Sequence, residues 1–328
     1  MLTGLVFVDW QRMDEPVPMT FFPLTERELN RMEENLHAYN NETPLGIGTA
    51  RTSMLLGIFS TNGDKYRKRR EYNRDTYLGI DDPRICKLSE YIRQVEDNPL
   101  TAICQVPYTF IIAAGGADRP FDHDDSEPLT VETDLNGDKD PEGDCSYLNI
   151  RENMEDGKSS SFFKFGASFG KKYNIDYITK LDDDTLINPL LLFQFIEDEL
   201  PAAPFNRRIY GGRGWMTRSK GIMYGAGQLY FMSTDVAHYV GHTLTAEDRK
   251  NMSHSRKTED ADMGVFVFSN PRPIKFMNLA MNQWWIHHET KTEDQFRTAW
   301  DNRGKLPLHE RGLVWDHFCK YWALNIGM

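Results

Sequence analysis

At 328 residues, 40% of them apolar and 12% aromatic, the chain can bury a full core as one large α/β domain or two smaller ones, which excludes a generally disordered protein. Its formal charge of −11 argues against nucleic acid as a partner, because nothing basic dominates to hold phosphate backbones. A nucleotide bound through a metal remains compatible with that charge. Four cysteines, Cys86, Cys104, Cys145 and Cys319, are too few and too scattered for a disulfide scaffold and contain no CxxC pair, so they leave the redox compartment open.

The opening MLTGLVFVDWQRMDEP carries only a short apolar run and lacks a basic n-region, and no stretch approaches a membrane span. The expectation is a soluble or cytoplasmic protein in which the sequons at Asn41 and Asn251 go unused. Residues 1–48 read as an extension. Thr25 and Glu28 form a capping-box pattern ahead of Leu29, Met32 and Leu36, and the segment leaves packing on the body or self-association into a homo-oligomer open.

The first core strand is SMLLGIFSTNG, residues 53–63, a nearly continuous apolar run that suits a parallel strand covered on both faces and turns at Ser60 to Gly63. Ligands of open α/β sheets bind at such strand ends. The following DKYRKRREYNRDTYLG is basic in an acidic chain. A solvated helix face accounts for about half of Arg67, Lys68, Arg69, Arg70 and Arg74, and the others are candidates for a diphosphate. PYTFIIAAGG, residues 107–116, is a second strand. In the acid-rich region after it, DLNGDKD spaces Asp134, Asn136, Asp138 and Asp140 like a calcium loop, but Lys139 and Cys145 stand where that loop needs Gly and Glu, so it reads as a solvated loop.

A helix is expected from Tyr147 to Tyr173, with Phe162, Phe163, Phe165 and Phe169 as its core face. Then Ile175, Tyr177, Ile178 and Leu181 make a β-prone run broken by Lys180 and ending on Asp182, Asp183 and Asp184. Three carboxylates at one strand end repel one another, and a divalent cation would remove that cost. Asn188 and Pro189 start an amphipathic helix. IYGG at 209–212 is a short strand, Tyr224 to Gln228 reads as a loop where backbone approaches something closely, and Gln228 to Ser233 as a strand. Glu259, Asp260 and Asp262 form a second acidic node before Met263 and Gly264, and Trp284, Trp285, His287 and His288 cluster beyond it. Adjacent histidines alternate faces on an extended chain, so one can point to a ligand. Residues 291–328 read as a packed tail.

Together these acids and a histidine suit a Mn²⁺ or Mg²⁺ site beside a general base. HExxH, GxxxxGK[ST] and GxGxxG are all absent, whereas a metal-dependent phosphoryl hydrolase stays open as a second reading.

The ordered motifs MLLGIFSTNG, Arg74-Asp75-Thr76-Tyr77, FIIAAGG, KLDDDTLINPLLL, IMYGAGQLYFMS and EDADMG resemble those of the β-1,3-glycosyltransferases, family 31 of the inverting glycosyltransferases, which includes galactosyltransferases and Fringe-like enzymes. Tyr77 replaces the family's usual Trp, and the Pro that opens its acceptor-side segment is missing. The resemblance covers residues 52–290 and implies a GT-A fold, a mostly parallel sheet flanked by helices over a domain spanning 49–290. It implies an inverting transfer from a UDP-sugar to a glycan or glycoconjugate hydroxyl. On its motifs Asp184 is the principal metal ligand, and Asp182 and Asp183 reach the donor or the metal shell. Asp260 is the base with Glu259 beside it, and His288, in preference to His287, completes the Mn²⁺ site. Ser60, Thr61, Arg70 and Arg74 line the uridine and diphosphate, and Arg213 and Trp215 sit where the donor sugar is chosen. A non-catalytic carbohydrate- or nucleotide-binding protein on the same fold is the rival. Relatives are usually anchored by an N-terminal membrane helix that this sequence does not display, which leaves a cytosolic, microbial or large-virus enzyme, or a truncated form beginning at a Met, as the expectations.

Overall fold

The run Met54–Phe59 forms β1, and all six of its residues are buried, as a strand covered on both faces requires. In this computed structural model the described residues are 51–120, 130–133, 135–153, 157–216, 222–253, 258–279 and 286–303. The extension 1–48, Asp134, Trp284, Trp285 and the tail from 304 onward, with Cys319, lie outside them.

After β1 come α1 (Asp64–Asp75), β2 (Ile85–Lys87), α2 (Leu88–Asp97), β3 (Val106–Gly115), β4 (Thr130–Val131), β5 (Cys145–Arg151) and α3 (Lys158–Tyr173). The second half runs β6 (Tyr177–Asp182), β7 (Leu186–Ile187), α4 (Pro189–Asp198), β8 (Ile209–Met216), β9 (Met223–Ser233), α5 (Thr234–His238) and α6 (Ala246–Met252). It closes with α7 (Glu259–Phe268), β10 (Lys275–Asn278), β11 (Ile286–His287) and α8 (Glu293–Asp301). The fold is mixed α/β, with a mainly parallel central sheet in the order β10-β8-β9-β6-β1-β3-β5-β4 and β2 beside the start of β3. The strand β9 is antiparallel to both β6 and β8, pairing Leu181 with Leu229 and Tyr210 with Met232. That reversal brings the first half of β9 to the end of β6 where the acids lie.

Alternation along the strands sends Leu55, Phe59, Ile178 and Met232 to one face, under α2, α3, α5 and α7, and Met54, Leu56, Ile58, Tyr177, Leu181 and Phe231 to the other, under α4 and α8. Each large side chain so removed from water contributes about 2 kcal/mol. On α8, Phe296 lies 5.5 Å from the ring of Tyr72 on α1. No helix among the described residues is long and apolar enough to cross a membrane.

Three expectations need correction. Tyr147 begins no helix: Cys145–Arg151 is a strand parallel to β3, and α3 starts only at Lys158, after Gly157 at φ 77°. The phenylalanine periodicity belongs to α3 alone, while CSYLNIR alternates its buried side chains. Asp140 is not solvated either, since its carboxylate accepts the Asp144 and Cys145 N–H groups and the Tyr147 hydroxyl and so fixes the start of β5. The glycines of Tyr224 to Gln228 lie within β9 and not in a loop, although the close approach is real: a Cβ at Gly225 would stand 2.7 Å from that of Tyr230. Cys86 and Cys104 form a disulfide that ties β2 to the segment entering β3. A single bridge of this kind falls short of a disulfide scaffold.

Gly57 gives the sharpest test of this packing, because a Cβ there would lie 2.2 Å from the Phe162 ring of α3. Denaturant unfolding of Gly57→Ala should show a loss of about 1–3 kcal/mol. Adding Phe162→Leu to the same chain should recover part of that loss.

Candidate metal and acid-base site

Asp182 closes β6, and the chain turns at once, with the Thr185 N–H donating to the Asp182 carbonyl at 3.0 Å. The turn cannot swing freely, since β7 pairs with β11 and the Thr290 N–H and hydroxyl both donate to the Asp184 carbonyl. This clamp delivers His288 to the acids. Its Nε2 lies 3.4 Å from Asp184 Oδ1 and 3.9 Å from Asp182 Oδ2. Asp182, Asp184 and His288 each offer a ligand atom within 4.8 Å of the others. Two carboxylates and an imidazole, all partly open to solvent, fit a hard divalent cation that keeps free positions for substrate oxygens. Burial raises the Asp184 pKa, but the hydrogen bond and charge of His288, with Arg69 and Lys291 behind them, outweigh it and hold the carboxyl below its usual range.

The middle acid turns inward. Asp183 accepts the Ser60 hydroxyl at 2.8 Å and an Arg69 N–H at 2.9 Å, and its own N–H donates to the Phe59 carbonyl. Burial pushes its pKa up against those two donors. The expected contact of Asp183 with a donor sugar or metal shell is therefore not what the geometry offers, because both of its oxygens are engaged in the interior.

The second acidic node meets the first across β9. At the start of α7 the acids Glu259, Asp260 and Asp262 sit at the positive end of the helix dipole. The Gly227 N–H donates to Asp260 Oδ2 at 3.0 Å. A Cβ at Gly227 would stand 3.6 Å from Asp260 Oδ2 and 3.9 Å from Asp182 Oδ2, so the two acids flank one glycine. Burial lifts the Asp260 pKa, opposed by the Gly227 N–H and the charge of Lys180. A more basic carboxylate is what proton abstraction needs. Glu259 faces inward instead, accepting the Tyr230 hydroxyl, with its own pKa raised by burial.

Several residues expected at a nucleotide serve the framework. Arg70 donates to Ser60 Oγ, to the Thr61 carbonyl and twice to Glu142, and Arg74 donates to Asp144 and Glu142. The Ser60 carbonyl receives the buried Lys158 ammonium at 2.6 Å, and Thr61 donates its hydroxyl to the Asn62 carbonyl. These groups brace the C-terminal end of β1 and the entry to β5, which leaves Ser60 and Arg70 without the open face a diphosphate requires, while the partly exposed Arg74 has its guanidinium engaged by two carboxylates. Asp140, Asp144 and Cys145 also come within metal-holding distance, but the Asp140 and Asp144 carboxylates are already hydrogen-bonded as described. Arg213 lies on β8 with its guanidinium 5.4 Å from the Trp215 ring. His287 occupies β11 opposite Leu186 and is not part of the Asp182–Asp184–His288 cluster. In the sequence Lys180 stands out only as a break in an apolar run and Arg69 only as one of five basic residues, while Gly227 and Tyr230 carry no signal of their own.

Manganese titration followed by electron paramagnetic resonance separates the three acids. Asp184→Ala should weaken Mn²⁺ binding at least about tenfold, as loss of a ligand does. Asp183→Asn should keep Mn²⁺ affinity within about threefold while lowering stability by about 1–3 kcal/mol, the cost of disturbing a buried hydrogen-bonded group. In comparisons with known proteins the chain matches no protein-family model and no curated sequence.

Proposed function

We propose that the protein is a divalent-cation-dependent inverting glycosyltransferase of GT-A type, moving a sugar from a UDP-sugar to a hydroxyl of a glycan or glycoconjugate, with β-1,3 linkage. The observation that carries this reading is the convergence on Gly227. A cation-competent trio, Asp182, Asp184 and His288, stands on one side of it, and a half-buried carboxylate of raised pKa, Asp260, is held on the other by its amide. Both lie at the carboxyl end of a parallel strand, where ligands of open α/β sheets bind. The motif series read from the sequence gives the same assignment.

The trio would hold Mn²⁺ or Mg²⁺. When bound, the cation supplies charge neutralisation to the diphosphate leaving group. Asp260 takes the proton of the acceptor hydroxyl as its oxygen bonds to the anomeric carbon from the face opposite the diphosphate. The bond from that carbon to the diphosphate oxygen breaks, and its electron pair departs with UDP. One base suffices for a single displacement, and Asp260 already has its orientation fixed by the Gly227 and Ala261 N–H groups. Glu259, hydrogen-bonded by the Tyr230 hydroxyl, supports the node.

A panel of UDP-sugars incubated with Mn²⁺ and glycan acceptors should show consumption of one donor, abolished by chelation. Asp260→Asn should lower turnover by about 10²–10⁴ while UDP binding persists, the range for removal of a general base. Consumption of none of the panel, with cleavage of simple phosphate esters instead, would favour the hydrolase reading.

A further inference from the structure

Lys180 is the one charged side chain between Tyr177 and Leu181, and it is 4% exposed. It shares its sheet face with Ile178 and Asp182, and its ammonium lies 5.5 Å from the Phe59 ring and 5.6 Å from the Tyr230 ring. A lysine so enclosed is expensive unless its charge is matched. Here the matching groups are all parts of the candidate site. The ammonium is 2.6 Å from Asp182 Oδ1 and 3.6 Å from Glu259 Oε2, and it donates to the Gly227 carbonyl. The same Gly227 donates its N–H to Asp260, and Tyr230 donates its hydroxyl to Glu259.

We propose that Lys180 is a built-in counter-ion and positioning residue, tying the cation ligand Asp182, the backbone of Gly227 and through it the base Asp260 into one unit. The inference rests on the reading of Asp182 as a cation ligand and Asp260 as the base. Its physical content is a division of charge. The ammonium is divided between Asp182 and Glu259. The more of it that Asp182 holds, the weaker the attraction left for a divalent cation at the same carboxylate. Gly227 is held on both sides, its carbonyl by Lys180 and its N–H by Asp260. Loss of the ammonium frees the backbone at Gly227 and with it the aim of Asp260.

Two substitutions have opposite expected effects on the cation site, which a merely structural role would not produce. Titration of Mn²⁺ in the absence of any sugar nucleotide should show Lys180→Met binding about tenfold more tightly than the unaltered chain, because the competing charge is gone. Glu259→Gln should bind about three- to tenfold more weakly, because the whole ammonium then falls to Asp182. At saturating Mn²⁺, Lys180→Met should lose about 10²-fold in kcat with donor KM little changed, the penalty of a misaimed catalytic group. Loss of Mn²⁺ affinity in both variants, or an unchanged kcat in Lys180→Met, overturns the proposal. Should Lys180→Met fail to fold by circular dichroism, Glu259→Gln decides alone: weaker Mn²⁺ binding supports the shared ammonium, and unchanged or tighter binding overturns it. If the unaltered chain transfers no sugar, the proposed function fails by itself, while the Mn²⁺ titrations still decide the role of Lys180.

Discussion

Three carboxylates leave the end of β6 in succession, and the rest of the site follows from how their mutual repulsion is relieved. The structure gives each acid a different partner: Lys180 for Asp182, Arg69 and Ser60 for Asp183, and His288 for Asp184. The partition has a geometric consequence. An acid turned inward locks the turn to β1 and α1, and the two turned outward remain beside an imidazole with room for a cation.

The partners come from distant parts of the chain, which explains why the sheet has the order it does around β6. On one side β1 lies parallel and supplies Ser60 just past its end. On the other side β9 runs antiparallel, so that its first half, and Gly227 with it, projects to the acidic end. The helix α7 packs on β9 through Gly264, where a Cβ would stand 2.5 Å from Tyr224 Cβ, and this closeness sets Glu259 and Asp260 against Lys180 and Gly227. Glycine is required at position 264 because backbone replaces side chain as the packing surface there.

Much of the scaffold was legible because single strands and caps write themselves locally. The buried runs of β1 and β3 and the Asn188-Pro189 start of α4, where the Asn188 side chain accepts the Leu190 N–H, need no distant information. The strand β5 was hidden because the phenylalanines of α3 extend a helical period backward, and its start depends on Asp140, which only the folded turn reveals as buried. At the site, the acids and His288 stood out by residue type. The inward turn of Asp183 and the framework duties of Arg70 and Arg74 did not, because a basic helix reads the same whether its arginines meet a diphosphate or Glu142 and Asp144. Lys180 was visible as a break in an apolar strand, but its partners on β9 and α7 are tertiary facts.

The central claim is that Asp182, Asp184 and His288 form the cation site on which donor binding depends. Anomalous diffraction at the manganese edge from crystals grown with Mn²⁺ and UDP tests it most directly. The account predicts a peak within coordination distance of all three side chains, with diphosphate oxygens on its open side. A peak at Asp140, Asp144 and Cys145 instead, or none near His288, would contradict it.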